Sequence, residues 1–178
     1  MILAAHQPNL VPWLPFFRKM HLADKFVLMS HVQFEKNGWT NRFKYKDRWM
    51  TIPVMGGNEL IYYKRYTNGY PLVEINTPLI FAFAKMLGID ADKVHLDYDT
   101  IETGTNRIID YCKRFNCDEY LTNPEAEEKY LDVKRMDDAG IKVIPFTPSN
   151  DYNISLFEAF EKWGIEGTSK MVRKKWIR

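Results

Sequence analysis

Nowhere does the chain carry an apolar run near the roughly 20 residues that a membrane helix needs, so no bilayer-spanning segment is expected. The first residues lack the charged-then-apolar layout of a signal peptide, which points to a cytoplasmic protein. Cysteine is scarce. Cys112 and Cys117 are the only two, and a closed zinc site needs four ligands at tighter spacing, so reduced, half-buried thiols are expected. His21, His31 and His95 stand apart, with no His-x-x-x-His pattern and no carboxylate-rich ligand run, so no metal is expected. A Gly-x-Ser-x-Gly elbow, a dinucleotide fingerprint and a close Cys-His arrangement are all missing, and Gly56-Gly57 lacks phosphate-loop spacing. No cofactor is called for.

What the chain does have is enough for one core. Its 178 residues are 46 % hydrophobic without a compositional seam, so a single domain over 1–178 is the economical reading. The formal charge of +2 hides segregation. Lys36, Arg42, Lys44, Lys46 and Arg48 face Asp47 alone, and after Glu166 a basic tail (167–178) carries Lys170, Arg173, Lys174, Lys175 and Arg178 without an acid. The centre is acidic. Two basic ends that met in space would make a landing surface for phosphate. Trp39, Tyr45, Trp49, Tyr62, Tyr63, Tyr66 and Tyr70 lie in polar company, which suits either a stacking surface or the rim of a core.

Strand and helix alternate along most of the chain. Ile2 to Ala5 reads as a buried strand, Leu14 to Ala23 as a helix with Pro15 in its first turn, and Lys25 to Met29 as a second strand. Asn41 to Lys46 and Arg48 to Val54 alternate as an antiparallel hairpin with a basic face. A tyrosine-rich loop fills Met55 to Pro71. The pattern then predicts a helix from Thr77-Pro78 to Leu87, a strand over Lys93 to Tyr98 and a helix over Thr105 to Phe115. A strand at Glu119 to Thr122, a helix from Pro124 to Ala139, a strand at Ile141 to Phe146 and a helix from Ser155 to Trp163 follow. This is the pattern of an α/β, single-domain layered fold with a mainly parallel, Rossmann-like sheet plus an antiparallel hairpin.

Candidate chemistry gathers after the first strand. His6 sits at its end, in a loop constrained by Pro8 and Pro12. An imidazole there can serve as a general base, with a pKa near working pH, or can simply bond backbone in a tight turn. Gln7 and Asn9 offer paired donors and acceptors for a sugar, base or amide; Asn9 equally suits a helix cap or Asx turn. Arg42, beside Asn41 and preceded by Trp39, offers a fork for carboxylate or phosphate and an indole wall, or a solvated strand-face charge. Gln33 and Asn106-Arg107 join these, Arg107 because a helix start favours anions. Asp97 and Asp99 could hold a cation or amine, or form a solvated acidic strand end.

The stretch His6-Gln7-Pro8-Asn9, Pro12-Trp13-Leu14, Val32-Gln33-Phe34, Trp39-Thr40-Asn41-Arg42 and Trp49-Met50-Thr51-Ile52-Pro53-Val54 resembles the WbqC-like family. The likeness returns at Gly104-Thr105-Asn106-Arg107, Glu119-Tyr120-Leu121 and Tyr130-Leu131-Asp132. The chain has Ser30-His31 where the family usually carries two acids, and Asn123-Pro124-Glu125 where it carries a glycine-rich stretch. The resemblance implies an aminoacyl or acyl transferase, with glycine proposed as the group moved, acting on an amino sugar or nucleotide-activated acceptor in surface-polysaccharide synthesis. The expected partner is a phosphorylated small molecule, a nucleotide sugar or nucleotide. His6 would be catalytic; Gln7, Asn9, Gln33, Trp39, Asn41, Arg42, Asn106 and Arg107 would bind substrate. Lys and Arg interleaved with aromatics keep a second reading open, weak binding or modification of nucleic acid. A third is a non-catalytic small-molecule binding module.

Overall fold

The structure is a computed structural model that describes residues 1–34, 37–55, 66–67, 69–97, 99–148 and 154–174. In chain order the elements are β1 (Ile2–His6), α1 (Leu14–Leu22), β2 (Lys25–Met29), β3 (Arg42–Tyr45), β4 (Arg48–Thr51), β5 (Tyr66–Thr67) and β6 (Tyr70–Pro71). Then come α2 (Leu72–Met86), β7 (Val94–Asp97), α3 (Gly104–Arg114), β8 (Glu119–Thr122), α4 (Ala126–Lys129), α5 (Val133–Asp138), β9 (Lys142–Pro145) and α6 (Leu156–Arg173). Among the described residues no helix is long and apolar enough to cross a membrane.

Five strands form one sheet in the order β7-β2-β1-β8-β9, every neighbouring pair parallel. Because strand side chains alternate, each strand feeds two cores. Ile2 and Ala4, Phe26 and Leu28, Leu121 and Ile144 pack with Phe16, Phe17 and Met20 of α1, Ile80 and Phe83 of α2, and Leu156, Ala159 and Val172 of α6. On the other face Leu3, Ala5, Val27 and Tyr120 meet Ile108, Tyr111 and Cys112 of α3 and Met136 of α5. With both faces covered, residues 2–5 of β1 read as a continuous apolar run, as a parallel sheet requires.

The expected α/β sheet and separate hairpin are present, with three local differences. α2 begins at Leu72, and Pro78 lies inside it. The missing N–H costs one helical bond, but Leu72 and Val73 are sealed against Val32, Phe34, Ile52, Val54 and Leu96, which holds the first turn in place. The expected helix over Pro124 to Ala139 is two helices. Asp132 caps α5 by accepting from the Arg135 N–H at 3.1 Å, and Thr105 Oγ1 fills the break, donating to the Tyr130 carbonyl at 3.1 Å and accepting from the Asp132 N–H at 2.8 Å. α6 does break at Gly164, whose φ of 66° is left-handed, but helix resumes to Arg173. Much of the sequence's basic tail is therefore helix with Thr168, Ser169 and Val172 buried; 175–178 lie outside the described residues. The tyrosine-rich loop ends in a short antiparallel ribbon, β5 with β6, while 56–65 lie outside the described residues.

Candidate functional site

From β1 the chain steps outward to β2 and β7, then returns to place β8 on the other side of β1. The strand order reverses between β1 and β8, and in open α/β sheets the loops diverge at that point and leave a crevice at the carboxyl ends of the strands. A cleft of about 420 Å³ lies there, lined by Ala5, His6 and Gln7 from the end of β1 and by Thr122, Asn123 and Glu125 from the end of β8. Lys19 of α1 and Lys129 and Tyr130 complete its wall. A second lobe of about 500 Å³ runs toward β2 and α3, lined by His31, Val32, Gln33, Thr103, Arg107 and Ile108. The lobes share Gln7, Met29 and Tyr130 and so form one trough.

His6 is enclosed by aromatic edges, its ring centroid 5.4 Å from Trp13 and 5.1 Å from Phe16. Burial, with the Lys19 ammonium nearby, drives its pKa down to about 3, only partly opposed by the Gln7 carbonyl. The expectation that His6 titrates near working pH is thus corrected. The ring is neutral. With Nδ1 lying 3.0 Å from the Gln7 carbonyl, the proton belongs on Nδ1, and Nε2 is left as an acceptor.

Lys19 is the residue the sequence reading missed. Its Nζ donates to the Ala5 carbonyl at 3.3 Å, and burial lowers its pKa to about 8. A signal was available: Lys19 shares the helical face of Phe16, Met20 and Ala23, a cation on the apolar stripe.

The structure separates the sequence's candidates into groups. His6, Gln7, Gln33 and Arg107 share the trough, and Gln7 Nε2 reaches the Gln33 carbonyl at 3.5 Å. Asn9 is buried and lines neither lobe. Asn106 is exposed and accepts from the Arg135 guanidinium. Trp39, Asn41 and Arg42 belong to the hairpin. Asn41 closes its end, Nδ2 donating to the Ile52 carbonyl at 3.0 Å. Arg42 lies 3.9 Å over the ring of Trp49, not of Trp39, a diagonal cross-strand pair. Trp39 instead bridges Trp13 at 4.9 Å and Trp49 at 5.0 Å. The basic face is partly neutralised, Lys44 by Asp47 at 2.9 Å and Lys46 by Glu161 at 3.3 Å. Asp97 is buried rather than solvated, accepting from the Tyr111 hydroxyl and the Thr100 N–H. Both departures from the family pattern reach the trough, His31 in one lobe and Asn123 and Glu125 in the other.

The model of the WbqC-like protein family matches residues 7–65 and 59–163, a span that takes in β2 to β9 and the trough residues other than Ala5 and His6. The chain belongs to the WbqC-like family. This WbqC-like protein is also similar to the uncharacterized protein Rv1507c of Mycobacterium tuberculosis, 22 % identical over an alignment 187 positions long that covers 79 % of each chain. No solved structure matches it.

Proposed function

We propose that this WbqC-like protein is a transferase that moves an aminoacyl or other acyl group, glycine foremost, onto an amino-sugar or nucleotide-activated acceptor. The supporting observation is the trough at the strand-order reversal, which sets a neutral imidazole beside a buried ammonium. In the reaction the acceptor's amine attacks the acyl carbonyl carbon. The C–N bond forms, the bond to the donor's leaving group breaks, and the amine's proton passes to His6 Nε2. Proton acceptance by a group with so low a pKa is unfavourable, burial being the larger cause; an anion seated against Lys19 cancels the lesser one, the charge of the ammonium.

The test is a transfer assay. The protein is incubated with nucleotide-linked amino sugars and with glycyl thioester, glycyl adenylate or glycyl-tRNA, and the acceptor is followed by mass spectrometry. A gain of one glycyl unit, cut by about 10²-fold in His6→Gln with binding retained, is the expected result. No transfer from any donor, while a nucleotide sugar still raises the melting temperature, would replace the transferase with a binding module.

One observation favours the second reading, nucleic-acid binding: Trp49 is 43 % exposed and extends the row of ring contacts from Trp13 through Trp39, with Arg42 over its face. Bases stack on such platforms without sequence preference. The neutralised Lys44 and Lys46 leave that platform short of phosphate contacts.

A further inference from the structure

Among the described residues three cations are more than nine-tenths buried: Arg18, Lys19 and Arg107 are 8 %, 4 % and 8 % exposed. A buried cation is costly unless its N–H groups are met by acceptors or a counter-charge. Arg18 is met. Its Nη1 donates to the carbonyls of Met171 at 3.1 Å, Val172 at 3.3 Å and Lys174 at 3.2 Å, where the end of α6 adds its own partial negative charge. Half-buried Lys93 is met likewise by the carbonyls of His21 and Ala23, each at 2.8 Å.

Lys19 and Arg107 are treated differently. Lys19 has the Ala5 carbonyl at 3.3 Å, which leaves two ammonium N–H groups over. Arg107 spends Nε on the Glu102 carbonyl at 2.6 Å, which leaves both terminal nitrogens. Among the described residues no carboxylate forms an ion pair with either. Lys19 lines one lobe of the trough and Arg107 the other. We infer that the trough takes one small molecule bearing two separate anionic groups, phosphate or carboxylate, one on Lys19 and the other on the Arg107 guanidinium. Its neutral middle crosses Gln7 and Tyr130, which belong to both lobes.

The two anchors suit different chemistry. Arginine's planar fork pairs an oxyanion with two parallel hydrogen bonds, whereas the lysine acts as a point charge. The titratable groups that line this lobe with Lys19 are His6, Glu125, Lys129 and Tyr130; Glu125 and Lys129 are exposed at the rim, and His6 is neutral. Among the described residues no buried acid lines this lobe to compete with the anion for Lys19. The inference rests on reading the trough as the substrate site and narrows the substrate to a class.

A series of alkylene bisphosphonates of increasing spacer length tests it, with pyrophosphate as the shortest member and inorganic phosphate as reference, titrated into the whole chain by calorimetry. Once one end is bound, the second contact is intramolecular at millimolar effective concentration. One bisphosphonate should bind per chain, with a best spacer about 100-fold tighter than phosphate. That advantage should fall to within a few-fold in Lys19→Met and in Arg107→Lys, the second variant keeping the charge so that the fold survives. Two ligands per chain at every spacer, no spacer better than phosphate, or an advantage that persists in either variant would overturn the inference. The readout needs no turnover: a failed transfer assay leaves a bisphosphonate result standing, and absent bisphosphonate binding leaves transfer measurable.

Discussion

Replacing Lys19 by methionine should make the fold more stable. Burial lowers the ammonium from its ordinary 10.5 to about 8, which corresponds to about 3 kcal/mol against the charged form in the fold. Methionine has a similar shape and no charge to desolvate, but it forfeits the 3.3 Å bond to the Ala5 carbonyl, worth about 1 kcal/mol. A net gain of about 2 kcal/mol at pH 7 follows. Its pH dependence has a definite sign. Between pH 8 and 10.5 the unfolded chain still holds the proton that the folded chain has shed, so the wild type gains stability as pH rises. The variant's advantage is therefore full below pH 8 and gone by the upper end of that window. Tyr111 and Tyr120, both pushed up by burial, titrate in both proteins and cancel in the comparison. Urea unfolding of the pair at pH 7 and pH 10 measures the difference. A variant less stable at pH 7, or an advantage unchanged at pH 10, would refute the account of Lys19 as an uncompensated cation.

Asn76→Ala should destabilise the fold by about 2 kcal/mol, since Nδ2 of this buried side chain donates to the Pro8 carbonyl at 2.8 Å and the Thr40 carbonyl at 2.7 Å; chemical denaturation reads the loss, and an unchanged midpoint would show that water replaces it. Any binding of single-stranded oligonucleotide should be weak and vanish by physiological salt, with Trp49→Ala abolishing what remains at low salt. Sequence-selective binding that survives such salt would raise the nucleic-acid reading above the transferase.

Much of the sheet was legible because its strands declare themselves. Residues 2–5 and 26–29 are apolar without a break, and buried parallel strands are the local pattern least open to competing readings. The hairpin was legible too, although its strand stops at Tyr45: Lys46 and Asp47 both take positive φ, 46° and 62°, as a two-residue turn requires. The two helix differences have separate causes. Thr77-Pro78 reads as a helix start, yet Leu72 and Val73, packed against Val32, Phe34, Ile52, Val54 and Leu96, carry the helix back through it, and Asp132 is a cap inside a stretch that periodicity alone joins. The site was half legible. His6, Gln7, Gln33 and Arg107 come together because loops after parallel strands collect at one edge of the sheet, which the pattern implied. Trp39, Asn41 and Arg42 are near His6 in sequence style but belong to the hairpin, and nothing short of the strand pairing separates them. Arg18 and Lys19 show the limit most plainly: adjacent cations on one helix, the first spent on α6 and the second on the trough.

The position of β1 between β2 and β8 also sets the order in which the protein can be made. β2 follows β1 within a few dozen residues and can pair with it early, during synthesis from the N-terminus. β8, which supplies Thr122 and leads to Tyr130, emerges much later. Until it does, the nascent chain presents one side of its central strand unpaired, the kind of edge that recruits other chains. The arrival of β8 covers that edge and brings Thr122 to the trough, so a ribosome-bound fragment that ends before Thr122 has neither a fully paired central strand nor a complete trough.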